Sequence, residues 1–166
     1  MRIFLLIWLL AAVAQADILL KATMTSTIPL EGNREARRTT SPVLVLKDGD
    51  TAMLELAPKV PPGGGRDARN GSGDYELQTR FKPTWRGGDK VRLELTIQSR
   101  FRDRPWQKSK VAATLLEGEA WEATIEDPTY KTNLEYRVTL WKIPPGQHFL
   151  NFDSEGKPRF SPNPSP

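Results

Sequence analysis

The sequence contains no cysteine, and His148 is its only histidine among 166 residues. The absence of cysteine excludes disulfide bonds, thiol catalysis and cysteine-ligated metals. A typical zinc site takes several histidine or cysteine ligands, so one histidine cannot form it. We therefore expect His148 to be a packing or exposed residue, and we expect no metal site and no cofactor.

The first 16 residues have the composition of a cleaved signal peptide. Arg2 is a short positive region, residues 3–13 are apolar, and residues 14–16 (Ala-Gln-Ala) are a small-residue cleavage motif. The apolar run is shorter than the about 20 residues of a transmembrane helix, and an uncleaved anchor is the alternative. A cysteine-free exported chain favours a bacterial setting, so we expect a mature protein in the periplasm or at the outer membrane.

The charged residues give little indication of a partner. The chain carries 24 lysines and arginines against 20 acidic residues, a formal net charge of +4, and the two signs are interspersed. A mild excess of this kind favours solubility. Without a long basic stripe, we expect no nucleic-acid partner.

The sequence after the leader is dominated by period-two alternation, without a convincing helical period. Residues 75–81, 90–100 and 133–143 alternate most clearly between apolar and polar side chains. About eight candidate strands are separated by Gly, Pro and Asp turns. This pattern predicts an all-β fold, an antiparallel β-sandwich or a partly closed barrel, as a single domain over residues 17–145.

Two similar turns stand out within this pattern. Asp48-Gly49 separates the apolar runs 43–47 and 52–56, and Glu117-Gly118 separates a second pair of runs. An acidic residue followed by glycine between two strands predicts a β-hairpin at each place. Each pair is followed by an alternating strand, so the two halves are either a structural duplication or a coincidence of common motifs.

Three segments lack a strand pattern. Residues 30–40 are polar and read as a linker, a loop or at most one helical turn. Residues 58–74 contain three prolines and five glycines, which predicts a long flexible loop. Residues 146–166 read as a polar, proline-rich tail, whose "SPNPSP" ending has too little apolar content to order itself.

The order of motifs resembles the C-terminal module of secretins, the outer-membrane ring proteins of type II and type III secretion and of type IV pilus systems. The similarity covers Thr39 to Pro145. The positions that carry it are Ser41-Pro42, Asp48-Gly49, Ala52, Pro83, Gly87-Gly88-Asp89, Val91, Leu93, Leu95 and Ser99. The resemblance implies a secretin-like β-domain whose partners are envelope or secretion-system proteins.

The chain departs from the secretin pattern at two places. Asp74-Tyr75 stands where secretins usually have Val-Gly, and "EDPTYKT" fills the interval of a Pro-x-Leu-Gly-x-Ile-Pro-x-Leu-Gly run. Membrane insertion and a gated ring are therefore not implied. We expect a short, diverged relative that makes non-catalytic protein–protein contacts, with peripheral contact to the outer membrane as an option. The sequence does not indicate the oligomeric state.

Some residues allow a chemical alternative. Glu94 and Glu122 lie on polar strand faces and, if close together, could serve a carbohydrate-active enzyme on a small sandwich. Asp48 and Asp50 supply only two carboxylates, so a turn explains them better than calcium. His148 could pair with Asp153 and a serine, but no nucleophile-elbow motif is present. A ligand-carrying β-barrel is the third alternative, and we expect no catalytic residue.

The segment around Arg100–Lys110 is basic and contains exposed aromatic candidates. Its residues form the predicted partner-binding patch, for an acidic protein surface or lipid headgroups: Phe101, Arg102, Arg104, Trp106 and Lys108. Aromatic and arginine side chains are enriched at binding surfaces, although Trp106 could equally cap the core. Trp121 and Trp141 are predicted to be core residues.

Overall fold

The computed structural model of the chain describes residues 17–29, 35–56, 75–101, 105–127 and 132–164. The predicted signal peptide and the whole of the predicted flexible loop at residues 58–74 lie outside these residues. Within them the chain is all-β, as predicted, with no helix and therefore no helix suited to crossing a bilayer. The eleven strands are β1 (Asp17–Pro29), β2 (Glu35–Thr40), β3 (Val43–Lys47), β4 (Ala52–Leu56), β5 (Tyr75–Trp85), β6 (Lys90–Phe101), β7 (Gln107–Leu116), β8 (Ala120–Asp127), β9 (Thr132–Lys142), β10 (Gln147–Phe152) and β11 (Pro158–Pro162).

The strands form two large antiparallel sheets and one hairpin. Sheet I has the order β2-β1-β9-β8, with β3 paired to β1 as well. Sheet II has the order β4-β5-β6-β7, and β10 pairs with β11. No ladder among the described strands joins sheet I to sheet II, so of the two predicted arrangements the structure is the sandwich.

Period-two alternation builds the core between the two sheets. Every second side chain of the central strands turns inward, as expected for strands with one buried and one solvated face. The fully or nearly buried members include Ile18, Leu20, Ala22, Met24, Leu77, Phe81, Val91, Leu93, Leu95, Leu134, Val138 and Leu140. In their midst, the Thr79 and Tyr136 hydroxyls hydrogen bond across the sheets at 2.9 Å, which satisfies two polar groups buried in the core.

The Asp48-Gly49 turn does not close a hairpin. Its strands belong to different sheets, because β3 pairs with β1 whereas β4 pairs with β5. Gly49 adopts φ +82°, its N–H donates to the Pro83 carbonyl at 3.0 Å, and Asp48 Oδ1 accepts from Trp85 N at 2.6 Å. The turn is therefore an arch that carries the chain from one sheet to the other, and the hairpin prediction is wrong.

The Glu117-Gly118 turn is a second arch of the same design. It connects β7 of sheet II to β8 of sheet I, so this hairpin prediction is also wrong. Gly118 has φ +78°, its N–H donates to the Leu140 carbonyl at 2.9 Å, and Glu117 Oε1 accepts from Lys142 N at 2.8 Å. These two hydrogen bonds of the first arch thus have counterparts in the second.

The equivalence of the arches extends to whole sheets. Sheet I from β3 through β1 and β9 to β8 matches sheet II from β7 through β6 and β5 to β4. Leu140 and Pro83 occupy equivalent positions, because the carbonyl of each accepts from the glycine N–H of one arch. Their partners on the next strand, Leu20 and Leu93, also correspond. The repeat suggested by the sequence is therefore present as two halves with a common strand order and register.

Two segments are more ordered than the sequence suggested. Glu35–Thr40, predicted as a linker or helical turn, is strand β2, which continues the register of β3 along β1. The segment predicted as a tail contains the β10–β11 hairpin, with a bulge between Phe149 and Asn151. Phe149 and Phe152 pack with ring centroids 5.0 Å apart, and Phe152 lies 5.6 Å from Trp141. These aromatic contacts pack the hairpin against sheet I, which the mostly polar composition of the segment did not indicate.

Candidate functional site

The predicted partner-binding patch is only partly among the described side chains. Arg102 and Arg104 lie outside the described residues, as does the side chain of Phe101. Trp106 is half-buried and Lys108 is exposed, at the start of β7. The patch as a group of five therefore stays a prediction, and the geometry concerns its C-terminal part.

Trp106 stacks on a fixed cation rather than standing alone. The Arg100 guanidinium carbon lies 4.8 Å from the centroid of the Trp106 ring. Arg100 Nε and Nη2 donate to the two carboxylate oxygens of Glu76, both at 2.9 Å. Glu76 is the ladder partner of Arg100 on β5. The bidentate pair fixes the plane of the guanidinium, which in turn positions the indole at this end of sheet II.

Further cations lie on the outer face of sheet II, and sequence reasoning missed three of them as site residues. Arg80 and Lys82 project from β5, and Lys108 and Lys110 project from β7, all exposed. Between them, β6 presents Thr96 and Gln98. The sequence could not indicate this cluster, because it does not show that β5 and β7 flank the same strand, β6.

The candidate glycosidase pair is separated by the sandwich. Glu94 lies on the outer face of sheet II, where it accepts from Arg92 Nε at 3.0 Å. Glu122 lies on the outer face of sheet I, 3.5 Å from Arg137 Nε. The two carboxylates therefore face away from each other across both sheets, and the pair cannot act on one glycosidic bond.

The remaining candidates for chemistry have structural contacts. Asp48 bonds to the end of β5 within its arch, and no group of three or more potential metal ligands occurs among the described residues. Asp153 Oδ1 accepts from Glu155 N and Lys157 N, both at 2.9 Å, in the β10–β11 turn. His148 is exposed, and its Nδ1 lies 3.3 Å from Asn163 Oδ1. Asp153 and His148 thus have partners of their own.

The tryptophans predicted as core residues differ in place. Trp121 packs against the core cluster, as predicted. Trp141 is not in that cluster; it lies on the outer side of sheet I against Phe152. Leu19, its ladder partner on β1, is fully buried on this outer side. The core prediction for Trp141 is wrong, because Trp141 lies on the outer face of sheet I and not between the sheets. The C-terminal hairpin covers this part of the outer face, which explains the apolar side chain there.

The outer face of sheet I also holds a shallow cleft of about 260 Å³. Its polar lining residues are Thr23, Thr25, Glu122, Thr124, Glu135 and Arg137. The charges in it are paired, since Glu135 accepts from Arg37 Nη2 at 3.3 Å and Glu122 pairs with Arg137. The cleft is therefore a neutral, hydroxyl-rich surface.

The chain is similar to known proteins at the level of solved structures. No family model matches the sequence, and no curated protein matches it. The chain is similar to the secretin InvG of the Salmonella SPI-1 type III secretion injectisome, in a structure of residues 176 to the end in the open gate state. The identity is 10%, the TM-score is 0.38, and the match covers 77% of this chain and 58% of that chain, less than two thirds of its length.

Proposed function

We propose that this chain is a non-catalytic β-domain, exported to the periplasm or the outer membrane of a bacterium, that binds an envelope or secretion-system protein. The Trp106–Arg100–Glu76 stack at the end of sheet II carries this proposal. Two of its members, Arg100 and Trp106, belong to the segment whose composition predicted a binding patch. The secretin-like order of motifs between Thr39 and Pro145 supports the assembly context.

The stack has the physical properties of a binding anchor. Tryptophan and arginine dominate binding energy at protein interfaces when they are held in place and desolvated on contact. Glu76 holds Arg100 through two hydrogen bonds, and Arg100 holds the half-exposed ring of Trp106. A partner would therefore bind an already ordered indole and lose little side-chain entropy in doing so.

Site-specific photo-crosslinking in the native cell tests this role. A photoreactive phenylalanine at Trp106 or at Lys108 should give a discrete adduct with an envelope protein. The same group at Asn151, an exposed position on the C-terminal hairpin, is the matched control and should not give that adduct. No adduct at either patch position, or the same adduct at all three, would contradict the proposal.

Export is tested separately. The mature protein from the periplasmic or outer-membrane fraction should begin near Asp17 when its N-terminus is sequenced by mass spectrometry. A full-length chain that remains in the cytoplasm would remove the envelope from the proposal, whatever the crosslinking result.

A further inference from the structure

We infer that the outer face of sheet II binds an extended acidic polypeptide segment in a basic trough above β6. The walls of this basic trough are Arg80 and Lys82 on one side and Lys108 and Lys110 on the other, and its floor is Glu94, Thr96 and Gln98. The inference rests on the proposed binding role and adds the chemistry of the partner. It also extends the site from the Trp106 end onto the face of the sheet.

The ladder registers place the walls on the two sides of β6, staggered so that only Arg80 and Lys110 are directly opposite each other. Thr96 pairs with Arg80 on one side and with Lys110 on the other, Gln98 pairs with Lys108, and Glu94 pairs with Lys82. Because β5 and β7 are separated by β6 alone, the walls are about 10 Å apart. Cations on the same strand are two residues apart, hence about 7 Å. The long side chains stand on both sides of the half-buried floor residues.

The carboxylates of this face are already engaged. Glu76 pairs with Arg100, and Glu94 pairs with Arg92. Glu55 accepts from Gln78 Nε2 at 3.0 Å. None of the ion pairs between described residues involves a wall cation, although Lys82 stands opposite Glu94, whose carboxylate pairs with Arg92. Because the four wall cations outnumber the two carboxylates nearest to them, Glu94 opposite Lys82 and Glu55 on β4, the trough presents a net positive charge to solvent.

The equivalent surface of sheet I shows that the fold does not require these cations. Counting from the arches, Lys82 corresponds to Thr139. By the ladder registers, Lys108 corresponds to Thr39 and Lys110 to Ser41. These positions carry hydroxyls on the same framework, and Arg137, the counterpart of Arg80, is paired with Glu122. Because threonine and serine satisfy these positions in sheet I, a ligand explains the lysines of sheet II better than folding does.

The spacing favours an extended polypeptide as the occupant. In an extended chain, alternate side chains point to opposite sides and repeat about every 7 Å on each side. That repeat equals the spacing of the cations along each wall, so consecutive acidic residues would reach the two walls in turn. A bilayer surface has no such register, and membrane-binding faces project apolar side chains toward the lipid, whereas the trough floor is polar.

Fluorescence anisotropy with fluorescein-labelled octaglutamate tests the trough, with octaglutamine as the uncharged control peptide. We expect saturable binding of octaglutamate only, weakened by salt as screening shortens the range of the charges. The trough variant Lys82→Thr, Lys108→Thr, Lys110→Ser carries the sheet I residues and should bind about tenfold more weakly, as expected for the loss of three exposed ion pairs. A second variant with glutamine at the same three positions covers the case in which the first does not fold.

The charge-matched control is Lys47→Thr, Lys157→Thr, Arg159→Thr, which removes three exposed cations outside the trough. It should bind octaglutamate like the wild type. Equal weakening in both variants, absence of binding, or sedimentation with phosphatidylglycerol vesicles in place of peptide binding would overturn the inference. If the crosslinker at Trp106 gives its adduct but the wild type does not bind octaglutamate, only the trough is overturned. If neither the adduct nor octaglutamate binding is observed, the proposed function is overturned too.

Discussion

The two sheets share a framework but differ on their outer faces. In sheet I, Leu19 and Trp141 make the outer surface near the arch apolar, and the C-terminal hairpin covers it with Phe152. At the corresponding places in sheet II stand two polar residues, Arg92, which is exposed, and Thr84, which is half-buried. Strand order, register and arch geometry therefore do not determine what the outer face carries. One half uses its outer face to hold a further element of the chain, and the other carries exposed cations on its outer face.

This comparison depends on the two halves forming one folding unit. Leu20 and Leu93 correspond to each other, lie on the central strands β1 and β6, and are 0% and 1% exposed. Replacing either with alanine removes the same buried atoms from opposite sides of one core. We expect each change to lower the free energy of unfolding by about 3 kcal/mol, measured by urea denaturation.

The two variants should shift one common transition and leave its m-value unchanged. The matched control is Lys47→Ala, an exposed change on the edge strand β3 that should shift the midpoint little. Two separate transitions, each sensitive to only one of the leucines, would show that the sheets unfold independently. The comparison would then describe two units rather than two halves of one.

The sequence predicts the strands better than their connections. Alternation in residues 90–100 identifies β6 because the period of side-chain burial is local. The Asp48-Gly49 turn is ambiguous because a tight turn with glycine at positive φ serves a hairpin and an arch alike. Only the partners of β3 and β4 distinguish them, and those partners, β1 and β5, lie far away in the chain. Strand β2 escaped notice for a similar reason, since its polar residues obtain their ladder from β1.

The candidate site also divides into residues that the sequence predicts and residues that only the sheet pairing brings together. The sequence predicted Trp106 and Lys108 because they lie within one basic, aromatic segment. It did not connect them with Arg80 and Lys82, which the β5–β6 hairpin brings to the same face. The Arg100–Glu76 pair was also hidden, because its members lie 24 residues apart and meet only through the ladder.

The acidic residues of the two arches allow a sharper comparison. Asp48 is half-buried and accepts from Trp85 N at 2.6 Å, whereas Glu117 is exposed and accepts from Lys142 N at 2.8 Å. Removing Asp48 leaves a partly buried backbone N–H without this acceptor, while water can replace Glu117. We expect Asp48→Ala to lower the free energy of unfolding by about 2 kcal/mol and Glu117→Ala by about 0.5 kcal/mol.

Urea midpoints of the two alanine variants measure this difference. Asp48→Asn and Glu117→Gln are the controls, because the amide oxygen keeps an acceptor of nearly the same shape. Asp48→Asn should recover much of the stability lost in Asp48→Ala. Equal costs for the two alanine changes would mean that the arches are energetically as well as geometrically equivalent.

The smallest expected difference concerns the glycines of the arches. Gly49 and Gly118 have φ +82° and +78°, a region in which alanine costs about 1 kcal/mol. A Cβ at Gly49 would meet nothing within 4 Å, whereas one at Gly118 would lie 3.3 Å from Trp141 Nε1. Trp141 is packed against Phe152 and cannot move freely. We therefore expect a loss of about 1 kcal/mol for Gly49→Ala and about 1.5 kcal/mol for Gly118→Ala, again from urea midpoints.

Asparagine separates the two causes of this loss. It tolerates positive φ better than alanine does, so Gly49→Asn should recover part of the stability. Gly118→Asn should recover less, because its Cβ still meets the indole. Equal recovery at both arches would mean that Trp141 yields without cost. The C-terminal hairpin would then be a loose cover on sheet I, and the contrast between a covered and an open outer face would lose its energetic basis.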